Sequence, residues 1–355
     1  ASGQAGGGTD RMNVLRRFAR WESSLVILLV VELLVLSMLS PKFLDIGRLL
    51  QSSSDYVWIG MVAIPLVLVM ISGGIDISVG STISLSSITL GVVYASGAPI
   101  GLAIAVALGV GMLAGLVNGV LILITGAQAI VITLGTLFLY SGLAVGLSGL
   151  GGVSAYEGIS GLPEAFVDFG NGNFFGIPNQ AAVFLLMVVI FSFVLHGSLV
   201  GRRLRLIGVN PEAARYAGIP VGRTTVFAYV MTGLGAAIAG IMLTAYFASA
   251  RPDLGATALL PAITAVVVGG ASIYGGTGTV FGAAIATVVI GLLTQGLRFT
   301  GLPNEFVTVL IGAVLVIAAG TRATSTVVLE YLRAQRAKRT PIERAADGMV
   351  QGENP

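Results

Sequence analysis

The sequence predicts an all-α polytopic membrane protein with about ten transmembrane helices, some broken at Gly-Gly pairs, and with a weak internal repeat. Hydrophobic residues make up 55% of the 355 residues and charged residues only 10%, and the mean hydropathy is +0.95. A water-soluble globule of this size needs far more charged surface than that. We therefore expect lipid, rather than water, to surround most of the chain.

The distribution of positive charge predicts the orientation. No lysine or arginine occurs between residues 49 and 201, and arginines then cluster between 202 and 223. Both tails are basic as well. Because cationic residues accumulate on the cytoplasmic side, we expect both termini and the loop 197–224 in the cytoplasm and the loop 149–179 outside. The net charge of +3 therefore reports orientation and does not indicate nucleic-acid binding.

Apolar runs of about 20 residues are long enough to cross a bilayer as helices. Ten candidate spans are predicted, at 24–40, 55–72, 77–95, 100–125, 129–148, 180–196, 225–247, 258–270, 279–297 and 306–320. An even number of spans agrees with two cytoplasmic tails. The predicted organisation is a tail at 1–22, a transmembrane domain at 23–321 and a second tail at 322–355.

The two halves of the chain share a glycine-rich motif. Pro65 is followed eight residues later by the pair Gly73 and Gly74, and Pro261 is followed eight residues later by Gly269 and Gly270. Transporters place broken helices in matching positions of two halves, near the substrate path. The alternative is that glycine only permits close helix packing. The pathway candidates of this motif are Gly73, Gly74, Gly269, Gly270 and Tyr274.

Asp76 follows the first glycine pair and has two interpretations. It can cap the next helix by accepting a backbone N–H, or it can serve the pathway, since an acid at membrane depth is costly and usually faces a cavity or partner. Ser78, Ser81 and Ser84 recur at a spacing of three and place hydroxyls on one helix face. That face can contact a polyol, or it can pack against another helix.

Glu32 lies in the middle of the first predicted span, with no basic residue one helical turn away. We expect it to form a structural hydrogen bond, with a proton-carrier role as the alternative. Gly111, Gly115 and Gly119 form a small-residue ridge that predicts close helix packing. Asn118 beside this ridge is expected to hydrogen-bond between helices.

The basic loop 197–224 contains the signals of a short exposed helix at 211–217. The residues that predict its cap, its first turn and its end are Asn210, Pro211, Glu212, Gly218 and Pro220. Such a helix can simply be solvated, but it is also suited to docking in a groove of a partner.

The sequence contains no recognisable set of residues for catalysis, metal binding or ATP hydrolysis. It has no cysteine and one histidine, which excludes thiolate sites and histidine clusters for metals. A phosphate-binding loop needs Gly-Lys-Ser or Gly-Lys-Thr, and neither Lys42 nor Lys338 has that context. We therefore expect no bound cofactor, and any ATP and Mg would be used by another subunit.

Three motifs in order resemble the membrane subunits of ribose-type ABC sugar importers. They lie at 73–81, at 208–215, and at 262–270 followed by Gly275 and Gly276. The resemblance extends over residues 13–321. Within that family, four stretches are similar to the autoinducer-2 importer branch, at 73–84, 156–159, 165–169 and 249–256. Permeases for rhamnose, ribose and other monosaccharides are close alternatives.

The resemblance implies a non-enzymatic permease subunit of the bacterial inner membrane. Its partners would be ABC ATPase subunits, a second permease that is a paralogue rather than a second copy, and a periplasmic binding protein that delivers a small sugar-like substrate. The implied ATPase-coupling residues are Asn210, Pro211, Glu212, Ala213, Ala214, Arg215 and Gly218. The implied binding-protein contacts are Tyr156, Glu157, Glu164 and Asp168. The rival classes are a proton-coupled secondary transporter using Glu32 or Asp76, and a channel-like or scaffolding membrane protein.

Overall fold

The computed structural model describes residues 7–39, 45–150, 158–299 and 305–317, which are largely helical. The helices are α1 Gly7–Leu39, α2 Ile46–Ser52, α3 Val57–Ile71, α4 Val79–Ala95, α5 Ile100–Thr125, α6 Ala129–Leu150, α7 Glu164–Asn171, α8 Asn179–Ser192, α9 Leu199–Val209, α10 Pro211–Tyr216, α11 Val221–Phe247, α12 Leu259–Val268, α13 Val280–Phe299 and α14 Glu305–Ile317. A short hairpin pairs β1 Asn173–Phe174 with β2 Ile177–Pro178 antiparallel. A π-helical turn, Phe193–Gly197, extends α8.

Over its described residues, each predicted span coincides with helical structure, but the count of ten crossings is not confirmed. Within the described residues, α5, α6, α11, α13 and α8 with its π-helical extension are long and apolar enough to cross a membrane. The α2 and α3 region forms a sixth candidate, bent by 61°. The apolar helices α4, α12 and α14 are shorter. The helix α1 begins at Gly7, inside the predicted N-terminal tail, and the predicted C-terminal tail lies outside the described residues.

The helix α3 forms the centre of the fold. Its residues from Met61 to Ile71 are almost completely inaccessible to solvent, because α8, α9, α11, α12 and α13 pack around it. A helix that is apolar on every side is typical of a protein core or of a membrane span. By contrast, α5, α6 and α8 expose many large apolar side chains, as expected of surfaces that face lipid.

The predicted glycine ridge of α5 packs against α11. A Cβ atom on Gly111 would lie 2.5 Å from the Cβ of Ala237, and a Cβ on Gly115 would lie 2.9 Å from the Cα of Val230. Side chains at these positions would force the two helices apart. The prediction of a packing ridge is therefore confirmed.

Between α11 and α12, the chain runs back along α4 without forming a helix. We call residues 248–258 the descending segment. It begins near α7 and approaches α4 at successive levels, with Ala250 at Gly91, Arg251 at Ser87, and Gly255 at Ser84 and Gly80. The helix α12 therefore starts beside the first turn of α4, which explains why it has only 10 residues.

Candidate functional site

The first glycine pair ends α3 with a left-handed residue. Gly73 has φ +85°, and the N–H of Gly74 donates to the carbonyl of Val69 at 3.0 Å. This is the hydrogen bond of a Schellman cap, for which glycine is the favoured residue. A Cβ on Gly74 would also lie 2.6 Å from the hydroxyl of Tyr229. The residues 72–78 that follow α3 form the first break.

The second glycine pair ends α12 in the same way. Gly270 has φ +106°, and the N–H of Ala271 donates to the carbonyl of Val266 at 3.0 Å. Gly73 therefore corresponds to Gly270 rather than to Gly269, and the register expected from the prolines is displaced by one residue. The residues 269–279 form the second break.

Asp76 is the centre of a buried polar cluster in the first break. It is only 2% exposed, and its Oδ1 accepts hydrogen bonds from the N–H of Ser78 at 2.9 Å and the hydroxyl of Ser78 at 2.7 Å. The Nδ2 of Asn118 lies 3.5 Å from the same oxygen and donates to the Ser78 hydroxyl at 2.8 Å. Asp76 thus bonds to Ser78, the residue that precedes α4, close to the end of the helix where the dipole favours a negative charge.

Three neighbouring helices hold the first break in place. From α6, the hydroxyl of Thr133 donates to the carbonyl of Ile75 at 3.2 Å, and from α11, the hydroxyl of Tyr229 donates to the same carbonyl at 3.5 Å. Tyr140 of α6 lies 3.3 Å from the Oδ1 of Asn118, which belongs to α5. The expected interhelical role of Asn118 is confirmed, but its contact with Asp76 was not predicted.

The hydroxyl groups on the serine face of α4 form hydrogen bonds with backbone groups of this chain. Ser81 donates to the carbonyl of Ser78 at 2.8 Å, and Ser84 accepts the N–H of Gly255 at 3.1 Å. Ser87, which continues this face, accepts the N–H of Arg251 at 3.3 Å. Backbone N–H groups at membrane depth require such partners. In this arrangement the serines hold the descending segment against α4.

The second break meets α9 at its surface. The N–H of Gly276 donates to the carbonyl of Ile71 at 2.8 Å, and a Cβ on Gly275 would lie 2.8 Å from the carbonyl oxygen of Gly208. A Cβ on Gly208 would collide with Ile71 and Gly276. Gly208 therefore lies between the end of α3 and the second break. Tyr274, in the same turn, is 84% exposed.

The predicted short helix is present as α10. The Oδ1 of Asn210 accepts the N–H groups of Glu212 and Ala213 at 3.0 and 2.9 Å, and Gly218 ends the helix with φ +77°. Ala214 is buried. Glu212, Ala213 and Arg215 are exposed, and the ring of Tyr216 is 93% exposed. The helix therefore presents a mixed charged and aromatic surface.

The basic residues of α9 precede this surface. Arg202 is exposed and Arg203 partly exposed. Burial lowers the pKa of the Arg205 guanidinium from its ordinary value, since a charged group loses solvation there.

At the opposite end, α7 presents two of the four predicted docking residues. Glu164 and Asp168 are exposed, whereas Tyr156 and Glu157 lie outside the described residues. The α7 helix is fixed to α11 through Asn171, whose Nδ2 donates to the carbonyl of Tyr246 at 3.2 Å. The hairpin that follows exposes 92% of Phe175, a surface aromatic residue that the sequence analysis missed.

Glu32 does not form the expected structural hydrogen bond. Both of its carboxyl oxygens are buried, and neither has a hydrogen-bond partner among the described residues. Among all the residues that the structure describes, no group of three or more His, Cys, Asp and Glu residues is arranged to hold a metal ion.

Residues 48–319 match the family model described as the permease component of the branched-chain amino acid transport system. The chain is 47% identical over 334 residues to the autoinducer 2 import system permease protein LsrD of Yersinia pseudotuberculosis serotype IB (strain PB1/+), covering 93% of this chain and 100% of that protein. It is also 47% identical over 331 residues to LsrD of Yersinia pestis (strain Pestoides F), covering 92% and 99%. A solved inward-facing ABC transporter of metal-chelate type shares 17% identity at a TM-score of 0.45, covering 83% of this chain and 96% of that chain.

Proposed function

The chain belongs to the family of permease components described for branched-chain amino acid transport, and from that premise we propose that it is the membrane subunit of an ABC importer for autoinducer-2. The single observation that carries the mechanism is the position of α10. This exposed, capped helix starts two residues after Val209, where α9 meets both helix breaks. A force on α10 therefore acts directly on the ends of α3 and the second break.

The orientation in the bacterial inner membrane follows from charge. The α10 end of the molecule contains the arginines of α9 and α10, so we assign it to the cytoplasm. The α7 end then faces the periplasm, and both termini are cytoplasmic. The ten predicted crossings remain part of this proposal, with α12 and the descending segment together accounting for the eighth.

The cytoplasmic partner is an ABC ATPase. Glu212, Arg215 and Tyr216 project from α10 and would enter a groove of that subunit. The permease is a transport component rather than an enzyme, and ATP with Mg would be bound by the ATPase. Closure of two ATPase subunits around ATP would move α10, and Gly208 would transmit that movement to the breaks.

The periplasmic partner is a substrate-binding protein. Glu164 and Asp168 supply negative charge on α7, and Phe175 supplies an exposed aromatic ring beside them along the chain. Exposed aromatic residues are frequent anchors of protein interfaces. The second permease subunit would be a paralogue, and it would complete the translocation pathway.

The substrate assignment rests on the relatives named as autoinducer 2 import permeases. Autoinducer-2 is a small polyhydroxylated molecule, and rhamnose and ribose are the alternatives of the same chemical class. A proton-coupled mechanism is the rival, and the observation that favours it is the buried carboxyl group of Glu32, which has no hydrogen-bond partner among the described residues.

Reconstituted uptake tests this proposal. Proteoliposomes would contain this chain, its candidate paralogue and the candidate ATPase, with ATP inside and binding protein loaded with labelled autoinducer-2 outside. We expect uptake to require every component and to fall at least about tenfold with Glu212→Ala plus Arg215→Ala. Substrate-dependent uptake by this chain alone, driven by a pH gradient, would reject the proposal and make Glu32 the residue to test.

A further inference from the structure

The hairpin that follows α7 has a turn whose sequence does not suit its backbone. Because Phe174 pairs with Ile177, the turn contains only Phe175 and Gly176. Both residues have positive φ, +49° and +82°, as in a type I′ turn. Asparagine, aspartate and glycine are favoured at such positions, whereas a bulky side chain in the left-handed region is strained. The turn preferences alone therefore do not explain a phenylalanine at position 175.

The ring of Phe175 is not buried by the fold either. It is 92% exposed, and its neighbour in an edge-on contact at 4.7 Å between ring centroids, Phe174, is 64% exposed. Packing within the described residues therefore does not offset the strain of the turn. Strained residues occur most often where a ligand or a partner is held. We interpret the turn as a device that presents an aromatic ring outwards.

Hydrogen bonds fix the base of the hairpin. The N–H of Asn179 donates to the carbonyl of Gly172 at 2.9 Å, and its Nδ2 donates to the carbonyl of Phe169 at 2.9 Å. The α7 helix is itself fixed to α11 through Asn171. A ring on such a base is already ordered before it binds, which lowers the entropic cost of association.

The surroundings of the hairpin are charged. The α2 helix contacts β2 and exposes the ion pair of Arg48 with Asp45, while α7 exposes Glu164 and Asp168. Charged side chains at hydrocarbon depth are costly, so these neighbours place the hairpin outside the lipid core. No described residue forms an ion pair with Glu164 or Asp168, and residues 158–180 contain no lysine or arginine. The surface beside the ring is therefore acidic.

We propose that Phe175 is the anchor by which this chain holds the periplasmic binding protein, and that the ring enters an apolar pocket bordered by basic residues of that protein. An aromatic anchor with a charged rim is the usual composition of an interface hot spot. The acids of α7 attract the basic border and orient the approaching protein. The identity of the partner rests on the proposed function, whereas the assignment of the anchor rests on the strained, exposed turn.

The variant Phe175→Asn separates docking from folding. Asparagine suits the left-handed region, so Tm should equal or exceed that of the wild type. The Kd of the assembled transporter in nanodiscs for binding protein loaded with autoinducer-2, measured by biolayer interferometry, should rise at least about tenfold. Phe175→Tyr keeps the ring and should stay within about threefold of the wild type. An unchanged Kd for Phe175→Asn would overturn the proposal.

The matched control removes an exposed ring from another surface. Phe138 of α6 is 69% exposed, and Phe138→Asn should leave the Kd for the binding protein unchanged. A rise as large as that of Phe175→Asn would show that loss of any exposed ring weakens docking, and it would overturn the specific role of the hairpin.

The chemistry of the partner is tested by salt. Asp168→Asn should raise the Kd about threefold at low ionic strength, and the difference from the wild type should vanish at high ionic strength, where charges are screened. The same Kd for both proteins at every salt concentration would show that the border of the pocket is not basic.

Insertion of the hairpin into the membrane is the alternative outcome. Because the native chain contains no cysteine, a bimane label can be placed on Asn173→Cys with Phe175 intact, and on Phe138→Cys as the lipid-facing reference. Brominated phospholipids should quench the label at position 138 and leave the label at position 173 bright. Equal quenching at the two positions would place the hairpin in the bilayer and overturn the proposal.

The outcomes separate this inference from the proposed function. Wild-type transporter that does not bind the loaded binding protein rejects the proposed partner and this inference together. Normal wild-type binding with an unchanged Kd for Phe175→Asn rejects the anchor alone and leaves the importer function standing.

Discussion

The first and second breaks begin with the same kind of helix C-cap but have different surroundings. Both end a helix with a left-handed glycine, Gly73 in one and Gly270 in the other, and with the same hydrogen bond across the cap. The first is then enclosed by side chains from α5, α6 and α11 around Asp76. The second lies against α9 and exposes Tyr274. The same glycine pattern therefore encodes the same helix end, while the residues that follow decide whether it becomes a fixed anchor or a surface contact.

Removing the acid from the enclosed break should have the largest effect on stability. Asp76→Ala leaves the N–H and hydroxyl of Ser78 without their acceptor, and buried unsatisfied donors cost about 1–3 kcal/mol each. We expect most of the protein to fail to fold, measured as the monodisperse fraction in detergent. Asp76→Asn keeps an acceptor oxygen and should be milder. Wild-type yield and Tm for Asp76→Ala would show that the cluster does not anchor the break.

Because the two breaks share this cap, replacing the left-handed glycine should lower the stability of the protein equally at each of them. Gly73→Ala and Gly270→Ala each place a Cβ in the left-handed region, at a cost of about 1–2 kcal/mol. Their Tm values should therefore fall by similar amounts. Gly135→Ala, in a helix with open space around it, is the control and should be neutral or stabilising. A large loss for only one of the two variants would mean that the caps are not equivalent.

The serine face offers a smaller, matched test. Ser84→Ala removes the acceptor of the Gly255 N–H and should cost about 1 kcal/mol, without changing the KM for uptake. Ser86 is also buried, but its hydroxyl has no partner in the described part of the chain, so Ser86→Ala should not lower Tm. A raised KM in Ser84→Ala with unchanged Tm would instead favour direct contact with the substrate.

The exposed break should tolerate substitution best. Tyr274→Ala removes a side chain that is 84% exposed, so the free energy of unfolding should change by no more than about 0.5 kcal/mol. The check is the Tm of the purified chain. A loss as large as that of Gly270→Ala would show that Tyr274 packs against something essential to the fold.

The positions of the helices were predicted well from local signals in the sequence. The apolar runs located the helices, and the cap and stop residues from Asn210 to Gly218 located α10, because each of these signals acts within a few residues. The predicted membership of an importer-permease family is confirmed by the match over residues 48–319. Of the two interpretations of Asp76, the structure shows a local hydrogen bond to Ser78, the residue before α4, but no side-chain cap on α4 itself.

Tertiary relations were not predictable in the same way. The contact of Asn118 with Asp76 joins residues 42 positions apart, and nothing in the local pattern of either residue indicates it. The path of the descending segment along α4 was also not predictable, because the segment is held there by hydrogen bonds to serine hydroxyls of α4. The hydrogen bond expected for Glu32 is absent among the described residues, where both of its carboxyl oxygens are buried without a partner.

The central claim is that Gly208 connects α10 to the end of α3 and to the second break. The most direct measurement is the number of autoinducer-2 molecules taken up per ATP hydrolysed by reconstituted Gly208→Ala transporter, with Gly101→Ala, which has open space around it, as the control. Because an added Cβ collides with Ile71 and Gly276, we expect hydrolysis to continue while this ratio falls at least about fivefold. An unchanged ratio in the folded variant would contradict the account.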